Sequence, residues 1–198
     1  AISQDSMQTL VNTLMTCYYE DLTGDCTDDN FGYTNQMYPV LGAGDEILTV
    51  TYYDNYNYDA DSSIIDFSST INFEGNDPDS LVNYAVKGHV SGFLSKVLGE
   101  GEYLMTATYY DDKYRVIREF RENIFGGMEI TLNKYDFIGN ILRSKHVIYK
   151  FNNTHSPVII NRWNDFDHAN RPRDIYHEIV GKDTVHMAKL SYNEIGQL

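Results

Sequence analysis

Five of the six histidines, His146, His155, His168, His177 and His186, fall between positions 146 and 186. Imidazole is a common zinc ligand, but zinc sites join their ligands by tight spacings or pair His with Cys. None of these histidines forms an H-x₃-H pair or lies near a Cys, and His146, His177 and His186 fall in segments that read as strands, so strand and loop histidines are expected. Ser91, in Val90-Ser91-Gly92, and the neighbours Asp167-His168 are the residues that suggest nucleophilic or acid–base chemistry. The surrounding motifs are missing: the sequence has no G-x-S-x-G elbow, P-loop, H-E-x-x-H or G-x-G-x-x-G. Gly99-Glu100-Gly101 sits between two strand patterns and reads as a hairpin turn. No enzyme and no catalytic residue are expected.

Two binding chemistries remain. Asp59, Asp61 and Ser63 resemble the start of a calcium loop, but the Gly and Glu of D-x-[DN]-x-[DN]-G-x₅-E are missing, and Ile64 and Asn72 stand nearby instead. Solvated carboxylates are expected there, with calcium the one cation that irregular acidic loops could hold and no other cofactor. The chain has 17 Tyr, with Tyr52, Tyr53, Tyr56 and Tyr58 its densest group. Rings under sugar faces and polar groups on hydroxyls make a glycan site. Tyr56 and Tyr58, outside the regular pattern described below, are the candidates for it.

The elements that must position these residues divide by charge. Residues 1–86 hold 15 acidic residues and no Lys or Arg, whereas residues 87–198 hold 14 acidic and 15 basic residues. Nucleic acid is excluded as a partner of the first part, because phosphate binding rests on Lys and Arg. No apolar run approaches the roughly 20 residues of a membrane span, so no transmembrane segment is expected, and no basic n-region opens the chain. Cys17 and Cys26 are the only cysteines; a disulfide and two free thiols are both open, and an even count fits an extracytoplasmic setting. Met7, Leu10, Val11, Leu14 and Met15 make one apolar stripe, which predicts a short N-terminal helix with a capping box at Asp5 and Gln8. An acidic helix and loop segment is expected over 1–45, and a β-sheet region over 46–198 with an irregular acidic insert at 55–86.

The expected strands are Glu46–Tyr53, Phe93–Leu98, Glu102–Tyr110, Arg115–Asn123, Met128–Asp136, Ile141–Phe151, Val158–Asp165, Arg173–Val180 and Thr184–Tyr192. From Phe93 on, the connections are too short for parallel crossovers, so these strands are expected to pair antiparallel. Self-comparison finds four related segments, beginning at Tyr110-Asp111, Tyr135-Asp136, Phe166-Asp167 and Tyr192-Asn193. Each is an aromatic, then Asp or Asn, two free residues, usually Gly or Asn, and a polar residue. Asp or Asn can accept hydrogen bonds from backbone N–H groups two residues on. Gly139, Asn170 and Gly196 occupy the position that wants φ > 0. Tyr114 breaks that rule and predicts a distorted turn, and Pro172 predicts an edge or bulge. The aromatics are expected to pack on one another from hairpin to hairpin. A fifth relative, Tyr53-Asp54, has diverged downstream.

This pattern resembles the YD repeat of the RHS (rearrangement hot spot) proteins, and more narrowly the long RHS-type surface proteins of Bacteroidetes. The resemblance also rests on Asp45–Tyr56, on Val86-Lys87-Gly88-His89-Val90-Ser91-Gly92 and on Glu122-Asn123-Ile124-Phe125-Gly126-Gly127, and covers about residues 45–198. It implies a mainly β fold in which YD hairpins form a continuous twisted sheet, part of a β-shell. It implies a structural module of a cell-surface or secreted bacterial protein, whose partners are flanking repeats and a C-terminal toxin domain or a surface glycan. With too few repeats to close a shell, the chain is expected to be an internal piece of a longer protein.

Overall fold

The computed structural model describes residues 3–14, 20–23, 30–36, 40–42, 44–58, 73, 82–150 and 156–197. The protein is mainly β. A short helix, α1 (Gln4–Leu14), precedes strands β1 (Thr49–Asp54), β2 (Val86–Lys96), β3 (Tyr103–Tyr110), β4 (Val116–Glu122) and β5 (Met128–Tyr135). β6 (Ile141–Tyr149), β7 (Val158–Phe166), β8 (Pro172–Ile179) and β9 (Val185–Lys189) follow. The nine strands form one open antiparallel sheet in chain order. From β2 onward the alternating residues and short connections dictate this meander, whereas β1 pairs with β2 across the long segment between Asp54 and Val86.

Side chains directly opposite in an antiparallel pair share a face. Gly92, Ala107, Phe120, Ile130, Val147 and Ile159 are successive partners across six strands, and from Ala107 to Val147 that row is buried. It forms the centre of a core with Val50, Tyr52, Met105, Tyr109 and Leu132 on the same face. Leu22, Phe31 and Tyr33 pack on this face, as do Tyr56, Tyr58, Phe73 and Val82. Tyr33 and Tyr58 stack on the two sides of the Tyr52 ring, at 5.8 and 4.8 Å between centroids. The acidic front segment therefore carries the apolar residues that close the core over β1–β3. Beyond Ile159 the burial thins, and β9 is mostly exposed.

Three expectations change. The helix is capped by Ser3, whose Oγ accepts the Ser6 N–H at 3.2 Å, so the Asp5–Gln8 box lies inside the helix instead of at its start. Ser3, two residues earlier, supplies the side-chain acceptor that the first N–H groups need. β2 starts at Val86, seven residues ahead of the expected Phe93. Two glycines hide this strand in the sequence, and each has a structural role. Gly88 adopts φ 81° where β1 and β2 lose register, and a Cβ on Gly92 would come within 2.8 Å of the Tyr58 ring. The turn at Tyr114 is also regular. The Cys17–Cys26 pair, Asp59, Asp61 and Ser63 lie outside the described residues, as does His155.

Candidate functional site

The four repeated segments become four turns at one end of the sheet, after β3, β5, β7 and β9. Each is built on the Asp or Asn at its start. The N–H of Asp111 donates to the Arg115 carbonyl at 3.0 Å, and the Tyr114 N–H donates back to the Asp111 carbonyl at 3.0 Å. The Asp111 carboxylate accepts the N–H groups of Lys113 and Arg115, each at 2.9 Å, and holds the Arg115 guanidinium through Nε at 2.7 Å. Asp167 repeats this with Ala169 and Arg171, the N–H bonds at 2.9 Å and Nε at 2.8 Å. Asn193 repeats it with Ile195 and Gln197. Asp136 accepts three N–H groups, from Ile138, Gly139 and Asn140, and the Asn140 amide at 2.7 Å. The fourth turn residue lies at positive φ every time: Tyr114 58°, Gly139 114°, Asn170 63° and Gly196 81°. This is the three-residue hairpin loop with a left-handed last residue. Its bulge recurs at Tyr109/Tyr110, Lys134/Tyr135 and Asp165/Phe166, so the bulge at Pro172 belongs to the repeat and is not made by the proline.

Tyr114 keeps this geometry because its ring lies flat on His89, 4.4 Å between centroids and 6° between planes. A bulky residue in the left-handed region costs roughly 1–2 kcal/mol, and an aromatic stack returns about 0.5–1.5 kcal/mol. The two nearly cancel.

Neighbouring turns are joined by residues that the shared sequence pattern leaves as merely polar. Arg115 lies over the Tyr135 ring at 4.7 Å and donates through Nη1 to the Asp136 carbonyl at 2.7 Å. Asn140 bonds to Asn170 of the third turn. Arg171 lies over the Tyr192 ring at 4.2 Å. The repeated aromatic reaches back as well: the Tyr135 hydroxyl donates to Val116 O and the Tyr192 hydroxyl to Pro172 O, both at 2.8 Å. In each case the acceptor follows directly on the preceding turn. The Tyr110 hydroxyl similarly reaches Val90 O at 2.7 Å. The hairpins are thus tied by cation–aromatic contacts and phenol–carbonyl bonds, where ring-on-ring packing was expected. Phe166 lacks the hydroxyl, and the Asn140–Asn170 bond ties that pair of turns.

The divergent relative behaves differently. Asp54 adopts φ 72° and accepts the Gly88 N–H from across the sheet at 2.6 Å, and Tyr53 is half exposed. A further turn, missed by the self-comparison, lies at the opposite end. Asn123 accepts the N–H groups of Phe125 and Gly127, and Gly126 sits at φ 67°. Its signal was Asn followed three residues later by Gly; without a preceding aromatic it escapes an aromatic–Asp pattern.

The charges follow from these bonds. Burial raises the Asp111 pKa, but the Arg115 and Lys113 hydrogen bonds and the Arg115 charge outweigh it and hold the group below the usual carboxylate range. Asp136 is likewise lowered, its bonds to Asn140, Gly139 and Ile138 outweighing burial. The Arg171 bond takes Asp167 down to about 2.

Tyr58 is buried, stacked on Tyr52, with its hydroxyl donated to Ser91 O at 2.6 Å, and Tyr56 packs on Tyr58, Tyr84 and Tyr109. Burial pushes the Tyr56 phenol up to about 12. Of the two, Tyr58 is buried in the core and Tyr56 is half-buried beside it. Ser91 is fully buried and donates to the Asn55 and Tyr52 carbonyls. His168 is exposed in its turn, His146 faces Glu129 at 3.4 Å, and His186 meets Asp174 at 3.0 Å under the Tyr176 ring. Among the described residues no three His, Cys, Asp or Glu side chains are grouped to hold a metal. No described helix is long and apolar enough to cross a membrane.

No protein-family model matches the chain, and neither does a curated protein or a solved structure.

Proposed function

We propose that the chain is a structural repeat module of a large RHS-type bacterial surface or secreted protein. Its hairpins extend a β-shell that encloses or presents a C-terminal domain, a toxin in one form of such proteins. The observation that carries this reading is the row of four like-built turns, each bonded to the next along one end of the sheet. Such a row places its repeated geometry in the joints between hairpins. Function then lies in stacking, as in repeat proteins whose units contact only their neighbours.

The reading frame that encodes the chain tests the proposal. Further aromatic–Asp turns at spacings near those seen here, ending in an unrelated C-terminal domain, are expected. A frame with no more such turns, or with a surface anchor in place of that domain, would overturn the shell.

A further inference from the structure

The outer edge of β1 borders a groove of about 1480 Å³. The consecutive residues 46–51 line it, with side chains on both faces of the strand, so the groove follows the edge of β1. Its opposite wall is formed by Glu20, Asp21, Leu22, Tyr33 and Asn35. Lys96 N–H donates to Leu48 O at 2.9 Å and Ser91 Oγ to Tyr52 O, so the even-numbered residues of this stretch turn their carbonyls toward β2. By alternation Thr49 and Thr51 turn N–H and C=O outward. The Tyr33 hydroxyl takes the Thr51 carbonyl at 2.6 Å. Among the described residues no strand pairs with this edge.

The lining carries Glu20, Asp21, Glu46 and Asp54 against one cation, Lys87. Lys96 reaches Glu46 from β2 at 2.8 Å. Residues 1–86, which supply all the other lining groups, contain no Lys or Arg, so the negative excess is a property of the groove as a whole.

We propose that this groove takes an extended peptide with Lys or Arg at alternate positions, added to β1 as a further strand. The backbone of the peptide would bond to the outward groups of Thr49 and the Thr51 N–H. Residues of one parity would face the acidic wall, because side chains along a strand alternate in direction. Charge would select the sequence and the edge would select the conformation. The proposal does not depend on the repeat-module reading.

Fluorescence anisotropy of the intact chain with a labelled octapeptide of alternating Lys and Thr tests it. The same peptide with alternate backbone nitrogens methylated, and an alternating Glu–Thr peptide, are the comparisons. The Lys peptide is expected to bind, to weaken by about tenfold or more in about 0.5 M NaCl as screening predicts, and to lose binding on methylation. The Glu peptide is expected not to bind. In Thr51→Pro, which removes an outward N–H and leaves the β1–β2 ladder intact, binding should fall while melting is retained. Equal binding of the methylated peptide, or no binding of the Lys peptide, would overturn the proposal. So would a dimer of the chain that Thr51→Pro converts to monomer, since a second copy would then occupy the edge.

Discussion

Asp111 keeps a carboxylate at 3 % exposure because Lys113 N–H, Arg115 N–H and the Arg115 guanidinium all point at it. Asp111→Ala leaves that guanidinium and two N–H groups without their acceptor, and should cost about 2–3 kcal/mol by chemical denaturation. Asp111→Asn keeps the acceptor oxygen and should cost less. The lowered pKa values of Asp111, Asp136 and Asp167 fix the acid response. Their contribution is present above the unfolded carboxylate pKa of about 4 and is lost as pH falls through the folded values. Melting temperature should be flat from neutral pH to about pH 5 and fall below about pH 4, less steeply in Asp111→Asn. Tyr114 offers a second check. Tyr114→Gly removes both the strain and the His89 stack and should be nearly neutral, whereas Tyr114→Ala keeps the strain, loses the stack and should cost about 1 kcal/mol. The Asp and Gly positions of these turns are legible in sequence because local hydrogen bonds and φ dictate them. Tyr114 is not, because its partner His89 is distant in the chain.

At the scale of the element, strand positions follow from alternation and turn residues, and seven of the nine strands begin within a residue of their expected start. The departures are β1, which starts three residues late, and β2, whose glycines answer contacts that only the folded chain makes. Gly127 shows the same dependence. A Cβ there would sit 2.2 Å from the Tyr149 carbonyl of β6, while at Gly101, in the β2–β3 turn, it would meet nothing within 4 Å. Gly127→Ala should therefore destabilise by about 2–3 kcal/mol and Gly101→Ala by well under 1 kcal/mol, read from urea midpoints. The joints between hairpins were invisible in sequence for a related reason. Arg115 and Arg171 occupy a position that local turn chemistry requires only to be polar, and their second role appears when the next turn is placed beside them.

At the scale of the whole molecule, the net charge of −14 is the sum of two unlike regions. The front region closes the core over β1–β3 through Phe31, Tyr33 and Tyr58, and its Glu20, Asp21, Glu46 and Asp54 line the β1 groove. The nearly neutral remainder supplies the sheet from β2 to β9, whose core row ends at Ile159 and leaves β9 exposed. Periodicity and spacing announced a mainly β, antiparallel sheet; they could not announce which face is covered, because the covering residues come from segments without a period. Stability should be graded accordingly, greatest across β3–β6 and least at β9. Consecutive hairpins are coupled through their turns into one sheet. Native-state hydrogen exchange of the chain and of Tyr135→Phe, which deletes the hydroxyl bonded to Val116 O, reads this coupling. The predicted result is that the variant loses about 1 kcal/mol of protection in the β3–β4 and β5–β6 hairpins together, with β9 the least protected strand in both proteins. Loss confined to β5–β6, or β9 protected as well as β4, would contradict it.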